Sequence, residues 1–218
     1  MPLSNYSELQ ASVADWINRD DLTDQIPDFI TLCEASMQRR LLTFNMEATT
    51  TLQTVANTAT LAVPTGFNGV RSLQVYYDSV WHDVQNASLE PSLYNGVTPY
   101  RPVVYSIVGS NFEFRPIPNG VYDLSLDYWA KFAPLSDSNT TNWILTNNPD
   151  AYLFGTLLVA APFLGTDDRV GMWALGFDNA IEQINSNDVS AQFDKTKLRV
   201  DPGLTSRSQV NIYTGRFW

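Results

Sequence analysis

The sequence is poor in the residue types that build most enzyme and metal sites. It contains one cysteine, Cys33, and one histidine, His82, among 218 residues. A structural zinc site uses about four cysteine or histidine ligands and a disulfide uses a pair of cysteines, so the chain alone can supply neither. It also lacks the glycine-rich phosphate loops and the Gly-x-Ser-x-Gly nucleophile turn. We therefore predict that the protein is not an enzyme and holds no cofactor or metal, with Cys33 buried on a helix and His82 at the surface or on an edge strand.

Long apolar runs are missing as well. The longest, 157–164, is far shorter than the roughly 20 residues needed for a membrane-spanning helix. The first residues have neither the basic nor the apolar region of a secretory signal. We expect a protein without a membrane span or a signal peptide.

Positive charge is scarce and unevenly distributed. The chain has 13 Lys and Arg against 23 Asp and Glu, a net charge of −10. Residues 1–191 hold 8 basic and 21 acidic groups, whereas residues 192–218 carry a net charge of +3. Because nucleic acids bind to basic surfaces, the acidic body argues against a nucleic-acid-binding surface over most of the protein. The basic tail is suited to an acidic surface, such as that of another subunit.

Apolar periodicity predicts helices near both ends of the sequence. Segment 149–164, with Asn148 as N-cap and Pro149 at the first helical position, is apolar nearly all round, which is typical of a helix buried among partners. A capping-box pattern at Ser7 opens the first helix. The other helical stripes are Leu9, Val13, Trp16 and Ile17, then Ile26, Ile30, Cys33, Met37 and Leu41, and finally Trp173, Phe177, Ala180, Ile181 and Ile184.

Between the helical regions the apolar period changes to two, which predicts strands. In 121–129, Leu124 and Leu126 alternate with Asp123 and Asp127, which indicates a sheet with one face in water. A short helix is predicted at 89–94. The expected strand pairs are 49–55 with 60–63, 70–77 with 80–84 across Asp78-Ser79, and 103–108 with 111–116 across Gly109-Ser110.

These patterns predict an α+β fold with three parts. Residues 1–47 and 141–191 form an antiparallel four-helix bundle, and residues 48–140 form an inserted antiparallel β-sheet or sandwich module. Residues 192–218 show no periodic pattern and form an extended C-terminal arm.

A few residues leave other functions open. Asp123 and Asp127 share the polar face of one strand, which permits a glycosidase hypothesis. The segment Asp-Ser-Asn at 137–139 resembles the first half of a calcium loop but lacks its glycine and final glutamate. Six tryptophans are compatible with sugar binding, although Trp16, Trp129 and Trp173 fall on predicted core faces. The alternative function is a fibre-attachment or carbohydrate-binding module that uses the β insertion.

Six short segments of the helical regions occur in a fixed order, with the β region between them. They are YSEL (6–9), DWINRDDL (15–22), IPDFI (26–30), EASMQRRL (34–41), NWILTNNPDAYLFG (142–155) and DDRVGMW (167–173). Together they resemble the head-to-tail adaptor (connector) proteins of tailed bacteriophages, of the podovirus type and similar to tail tubular protein A.

The resemblance implies a structural virion protein of the phage neck, made in the host bacterial cytoplasm. Such proteins form a ring, usually of twelve copies, beneath the capsid portal, and a free monomer before assembly is compatible with this. The helical bundles would pack side by side, so segment 149–164 would also press against a neighbouring copy. The other end would receive the tail nozzle and often tail fibres, while double-stranded DNA passes through the channel without specific binding.

The resemblance also implies a C-terminal arm that reaches the portal. Aromatic residues near the end of the sequence suggest a segment that becomes ordered on a partner. An arm that packs only on the neighbouring adaptor subunit is the alternative. The portal-contact candidates are Arg199, Arg207, Tyr213, Arg216, Phe217 and Trp218.

Overall fold

The computed structural model describes residues 3–87, 98–165 and 168–192. The helix predicted at 89–94 lies outside these residues. The described helices are α1 (Tyr6–Ile17), α2 (Ile26–Arg40), α3 (Trp143–Asn147), α4 (Pro149–Leu164) and α5 (Val170–Gln192), with short 3-10 helices at Asp20–Gln25 and Phe44–Met46. The described strands are β1 (Glu47–Gln53), β2 (Thr60–Ala62), β3 (Phe67–Tyr77), β4 (Val80–Asp83), β5 (Gln85–Asn86), β6 (Val104–Val108), β7 (Asn111–Arg115) and β8 (Asp123–Ala130).

Helix α4 is the centre of the helical region. It begins at Pro149 after the N-cap Asn148, as predicted, and it packs against α1, α2, α3 and α5. Among its 16 residues only Asp150, Pro162 and Phe163 are exposed. The prediction of a buried central helix is therefore confirmed. No broad face of α4 is left for a neighbouring copy, because the other helices of the same chain already cover it.

The predicted antiparallel four-helix bundle is wrong, although the α+β class agrees with the structure. In such a bundle each helix turns one apolar stripe toward a shared axis. Here α4 itself occupies the centre, and the short helix α3, which the sequence patterns did not predict, joins α1, α2 and α5 around it. The cause is the composition of α4, since a helix that is apolar on all sides needs partners on all sides.

The N-cap of helix α1 lies two residues before the predicted one. The N-cap is Asn5, whose Oδ1 accepts a hydrogen bond from the backbone N–H of Glu8 at 3.0 Å, rather than Ser7. The Glu8 carboxylate in turn accepts from the backbone N–H of Ser4 at 2.9 Å. The prediction of Trp16 as a core residue is also wrong, since its side chain is 39% exposed. Leu9, Val13 and Ile17 take the buried positions of this helix.

The described strands form two four-stranded sheets. Sheet 1 has the order β1-β8-β3-β4 and sheet 2 the order β2-β7-β6-β5, with β5 and β6 parallel and the other neighbours antiparallel. The sheets share a buried cluster in which Leu124 and Val75 of sheet 1 meet Phe112 and Phe114 of sheet 2. A second buried cluster belongs to the helices. The division into 1–47 with 141–191 and 48–140 stays a prediction, and Leu135 packs with the helical cluster.

The predicted pairing of 49–55 with 60–63 is wrong. Strand β1 pairs with β8, where Thr50 lies opposite Leu126, and β2 pairs with β7, where Leu61 lies opposite Phe112. The connection between β1 and β2 therefore crosses from one sheet to the other. Alternation in a strand shows which side is buried but not which strand lies beside it.

Both predicted hairpins are confirmed. Strands β3 and β4 are joined by Asp78 and Ser79, whose φ angles of 52° and 63° match a two-residue primed turn. Strands β6 and β7 are joined through Gly109, which has a φ of 60°. Positive φ angles are costly for ordinary residues, so short polar residues and glycine at these positions favour the turns.

A buried hydrogen-bond network joins α2, α4 and the segment before α3. Glu34, which is 5% exposed, accepts at Oε1 from the Leu135 backbone N–H and from the Tyr152 hydroxyl, both at 2.8 Å. Asn142 caps α3 through the Leu145 N–H at 2.9 Å and donates from Nδ2 to the Tyr152 hydroxyl at 2.6 Å. Burial raises the pKa of the Glu34 carboxyl above its ordinary value, against the opposing effect of its two donors.

Candidate interaction surfaces

Cys33 and His82, whose residue types are common in nucleophilic sites, do not come together. His82 lies on β4, at one edge of sheet 1, with its ring 6.3 Å from the ring of Tyr77. Cys33 is fully buried in the helical cluster, and burial raises the pKa of its thiol to about 12. Such a thiol is protonated at neutral pH and is a poor nucleophile. The predicted positions of both residues, a buried helix and an edge strand, are confirmed.

The geometry of Asp123 and Asp127 does not fit a glycosidase pair. Both face outward from β8, but four strand positions separate them by ~13 Å, whereas glycosidase carboxyl groups lie about 5–9.5 Å apart. Asp127 accepts hydrogen bonds from Thr49 Oγ1 at 2.6 Å and Ser72 Oγ at 2.7 Å, which lower the pKa of its carboxyl. A general acid needs a raised pKa, so the local environment acts in the opposite direction.

The segment that resembled a calcium loop is a closed turn. Ser136 and Asn139 exchange backbone hydrogen bonds at 2.9 and 3.1 Å, and the Asn139 amide donates to the Pro134 carbonyl at 2.6 Å. Within residues 3–87, 98–165 and 168–192, no group of three or more His, Cys, Asp or Glu side chains is placed to hold a metal ion. No helix within those same ranges combines the length and hydropathy of a membrane span.

The outward side of sheet 1 includes the carboxylates of Asp83, Asp123 and Asp127, which we call the acidic face; Glu47 of β1 lies on the same side and forms an ion pair with Arg71. Asp123 accepts from the Gln53 side-chain amide and Asp83 from the Gln74 amide, each at 2.8 Å. Asp127 accepts from two hydroxyl groups, as described above. These donors are uncharged, so they fix the carboxylates in place without neutralising them, but the charge of Arg71 also acts on Asp127 and helps to lower the pKa of its carboxyl.

Aromatic side chains cluster around the β3–β4 hairpin at one end of sheet 1. The rings of Tyr76 and Trp81 are 5.1 Å apart, and the two side chains are 42% and 43% exposed. Tyr77 contacts Tyr100 with ring centres 5.5 Å apart, and the Arg101 guanidinium lies 5.5 Å from the ring of Tyr77. Exposed aromatic residues and arginine are enriched at protein interfaces. We call Tyr76 and Trp81 the aromatic surface.

Exposed apolar residues also occur where α4 leads into α5. Phe163 in the last turn of α4 is 54% exposed, and Met172 and Leu175 of α5 are 57% and 63% exposed. Met172 and Leu175 are three positions apart, so they lie on the same side of the helix. We call these three residues the α5 apolar surface. In the sequence, this surface is indicated by Met172 and Leu175, two apolar residues that do not belong to the buried stripe of Trp173 and Phe177.

The residues predicted to contact a portal lie outside the described part of the chain. They are Arg199, Arg207, Tyr213, Arg216, Phe217 and Trp218. Their role stays a prediction, as does that of the arm at 192–218.

Comparison with known proteins assigns the chain to a family. The family model described as SU10 adaptor protein matches residues 4–201, a range that includes every described helix and strand. None of the curated proteins compared with the chain matches it. The family match confirms the resemblance to phage head-to-tail adaptors found in the sequence. Because the match covers nearly the whole sequence, the chain belongs to the SU10 adaptor protein family.

Proposed function

We propose that the protein forms a ring, of twelve copies in the virion, that joins the capsid portal to the tail nozzle and tail fibres around the DNA channel. The observation that carries this proposal is the family match over residues 4–201. It makes the protein a phage adaptor, a structural component of the virion that interacts with other phage structural proteins. The ring, its copy number and its individual partners are the proposed part.

The α5 apolar surface supports contact between neighbouring copies in such a ring. Exposed apolar area of this kind is stabilised when a partner removes it from water. Helix α4 is covered within its own chain, so α5 and the end of α4 are better placed than the centre of the helical region to meet a neighbour.

Changing Leu175 to glutamate is expected to reduce ring assembly on the portal at least tenfold, since it places a charge in an apolar contact. Melting of the free protein should stay unchanged, because Leu175 is exposed. Native mass spectrometry of adaptor–portal assemblies measures the effect. Gln183→Glu, at an exposed position of the same helix, is the matched control. Rings of normal copy number from the Leu175 variant would show that this surface is not the contact.

The acidic face and the net charge of the body support a channel lined by the protein. Repulsion between carboxylates and DNA phosphates lets DNA move past a wall without binding to it. Asp83 and Asp123 are held outward by hydrogen bonds to neutral amide groups, which preserves that repulsion.

Removing residues 193–218 is expected to leave a body with an unchanged melting temperature and to lower its affinity for the portal at least 100-fold. The basic and aromatic residues of that segment, among them Arg216, Phe217 and Trp218, are proposed to bind between portal subunits. Co-sedimentation with the purified portal of the same phage measures binding. The paired change of Phe217 and Trp218 to alanine in the full chain tests the aromatic contribution.

The alternative arrangement gives a different result in the same experiment. If the arm packs only on the neighbouring adaptor subunit, the truncated protein still binds the portal as single copies, and only its contacts with other adaptor copies weaken. Portal binding at the affinity of the full chain would therefore rule out the portal-anchoring role.

The aromatic surface favours a second candidate function, attachment of a fibre or a carbohydrate by the β region. Aromatic rings that are exposed and close together, as Tyr76 and Trp81 are, offer a stacking platform for sugar rings or apolar side chains. A glycan array probed with the full chain and with its Trp81→Ala variant tests this candidate. Loss of a glycan signal in the variant would support it, and the absence of any signal from the full chain would remove it.

A further inference from the structure

Helix α2 turns an exposed stripe away from the core, and this stripe combines apolar residues with an arginine. Leu32 is 56% exposed, and Ala35 and Arg39 are exposed as well. These residues are three and four positions apart, so they lie on one side of the helix. Beside Arg39, a groove of about 610 Å³ extends to Lys131, which directly follows β8. We call Leu32, Ala35, Arg39 and Lys131 the α2 surface.

The positive charges of Arg39 and Lys131 lie in a body that is otherwise strongly acidic. Residues 1–191 hold eight Lys and Arg side chains against 21 acidic ones. Four arginines form ion pairs and two lie over aromatic rings; they are Arg19, Arg40, Arg71 and Arg115, then Arg101 and Arg169. Among the residues that the structure describes, the side chains of Arg39 and Lys131 have no ion-pair or hydrogen-bond partner. Two such cations beside exposed apolar side chains indicate a partner that offers both a carboxylate and an apolar group.

Helix α5 of a second copy offers that combination. Leu175 belongs to the α5 apolar surface, and Glu182, two turns later on the same side of the helix, is exposed. Glu182 has no ion-pair partner in the described part of the chain. Leu175 and Glu182 are seven residues apart, as are Leu32 and Arg39, so each pair spans ~10.5 Å along its helix. Side by side and in parallel, the two helices place leucine against leucine and Arg39 against Glu182.

The directions of the helices within one chain allow this parallel match between neighbours. Phe163 near the end of α4 contacts Phe29 near the start of α2, with ring centres 4.9 Å apart, whereas Tyr152 near the start of α4 bonds to Glu34. Helix α4 therefore runs antiparallel to α2, and α5 begins six residues after α4 ends and runs antiparallel to α4. Helices α2 and α5 of one chain are thus roughly parallel. Neighbours in a closed ring of twelve are related by a rotation of about 30°, so α2 of one copy and α5 of the next keep nearly the same direction.

We propose that the α2 surface of one copy packs against α5 of the next copy, with Leu32 on Leu175 and with Arg39 and Lys131 beside Glu182. The two surfaces share no residue, so each copy contacts one neighbour on each side, as a ring requires. The proposal rests on the proposed ring and names the partner of the α5 apolar surface within it. It also gives the two cations a role, because they offset the repulsion between copies that each carry a net charge of −10.

Charge reversal in adaptor–portal assemblies tests the contact between Arg39 and Glu182. Arg39→Glu places two carboxylates at every contact and Glu182→Arg places two cations there, so each variant should lower the yield of complete rings at least tenfold. An equimolar mixture of the two variants should restore the yield to within twofold of the wild type, because alternating copies bring unlike charges together at every contact. Gln183→Arg, one position further along α5, is the control and should assemble normally. Native mass spectrometry counts the copies in each assembly.

Disulfide formation in the free protein provides a second measurement that needs no portal. Ala35 and Asn179 are exposed and lie midway along the two matched stripes, so cysteines at these positions in separate chains should form a cross-link. The native Cys33 is buried and does not compete. Under mild oxidation at high protein concentration, a mixture of Ala35→Cys and Asn179→Cys chains should give at least ten times more mixed dimer than a mixture of Ala35→Cys and Thr51→Cys chains. Thr51 is an exposed residue of β1, and mass spectrometry identifies the dimers.

The outcomes separate this contact from the proposed ring. Rings of normal copy number from the Arg39→Glu variant would overturn the contact and leave the ring standing, and so would a mixture that assembles no better than its single variants. Wild-type copies that bind the portal only singly would contradict the ring, and the cross-link in the free protein then decides the contact: the Ala35–Asn179 dimer supports it and the absence of that dimer overturns it. An Arg39→Glu variant that forms normal rings but no longer retains duplex DNA would assign the two cations to phosphates instead.

Discussion

Replacing Gly155 with alanine is expected to lower the free energy of unfolding by about 3 kcal/mol, a large overpacking effect. A Cβ atom at this position would lie 2.4 Å from Cys33 Sγ and 2.8 Å from a ring carbon of Phe177. Both neighbours are buried, with exposures of 0% and 3%, so neither can move aside without displacing other core side chains. Chemical denaturation followed by circular dichroism measures the change.

Two other helical glycines make a matched series. A Cβ at Gly171 of α5 would meet no atom of the described residues within 4 Å, so Gly171→Ala should raise stability by up to about 1 kcal/mol through helix propensity. A Cβ atom at Gly176 would lie 2.8 Å from a ring carbon of Phe154, but that ring is only partly buried, so Gly176→Ala should have an intermediate effect. Adding Cys33→Ala to the Gly155 variant should recover part of its loss. Equal effects at Gly155 and Gly171 would contradict the close packing of α4.

Replacing Glu34 with alanine is expected to cost about 3 kcal/mol of unfolding free energy. The change leaves the Leu135 N–H and the Tyr152 hydroxyl without their acceptor, and each buried group left unpaired costs about 1–3 kcal/mol. Tyr152→Phe removes one donor of the same network and should cost less. Arg39→Ala, on the exposed side of α2, is the control and should change stability little. A Glu34→Ala variant as stable as the control would show that the network does not hold these elements together.

The Glu34→Gln variant isolates the pH dependence of this network. The folded-state pKa of Glu34 is raised by burial, so the folded protein binds its proton more tightly than the unfolded chain does. Below the unfolded pKa of about 4.3 the contribution of Glu34 is fully present, and it is lost as the pH rises through the folded pKa. The free energy of unfolding of the wild type, relative to that of the Glu34→Gln variant, should therefore fall as the pH rises above about 4.3. A difference that rises over this range would contradict the raised pKa.

Helices were predictable where the information is local. The buried stripe of α2 needs only the spacing of five residues along one segment, and the structure buries Ile26, Ile30, Cys33, Met37 and Leu41. The burial of α4 was predictable for the same reason, because apolar residues lie on every side of this helix. The arrangement of the helices was not predictable, since an all-apolar helix shows that partners surround it without showing how many there are.

Strand partners and surfaces needed information that the sequence pattern does not carry. Thr49 hydrogen-bonds to Asp127, 78 residues later, and nothing in the alternation of β1 favours β8 over the nearer β2. Tyr76 and Tyr77 are adjacent and face opposite sides of β3, so alternation alone could not show which one joins the exposed aromatic surface. Trp16 lies beside the buried stripe of Leu9, Val13 and Ile17, and helical spacing alone does not separate a half-exposed tryptophan from a core residue.

The central position of α4 sets the order in which the protein can fold during synthesis. Helices α1 and α2 have their main helical partner in α4, which follows α2 in the sequence only after the eight described strands. Roughly 100 residues must therefore be synthesised in between, which takes about 5–20 s at bacterial elongation rates of about 5–20 residues per second. During that interval the apolar side of α2 has no α4 to pack against, while sheet 1 and sheet 2 can already form. The nascent chain is consequently expected to be most prone to chaperone binding before Leu164 has left the ribosome.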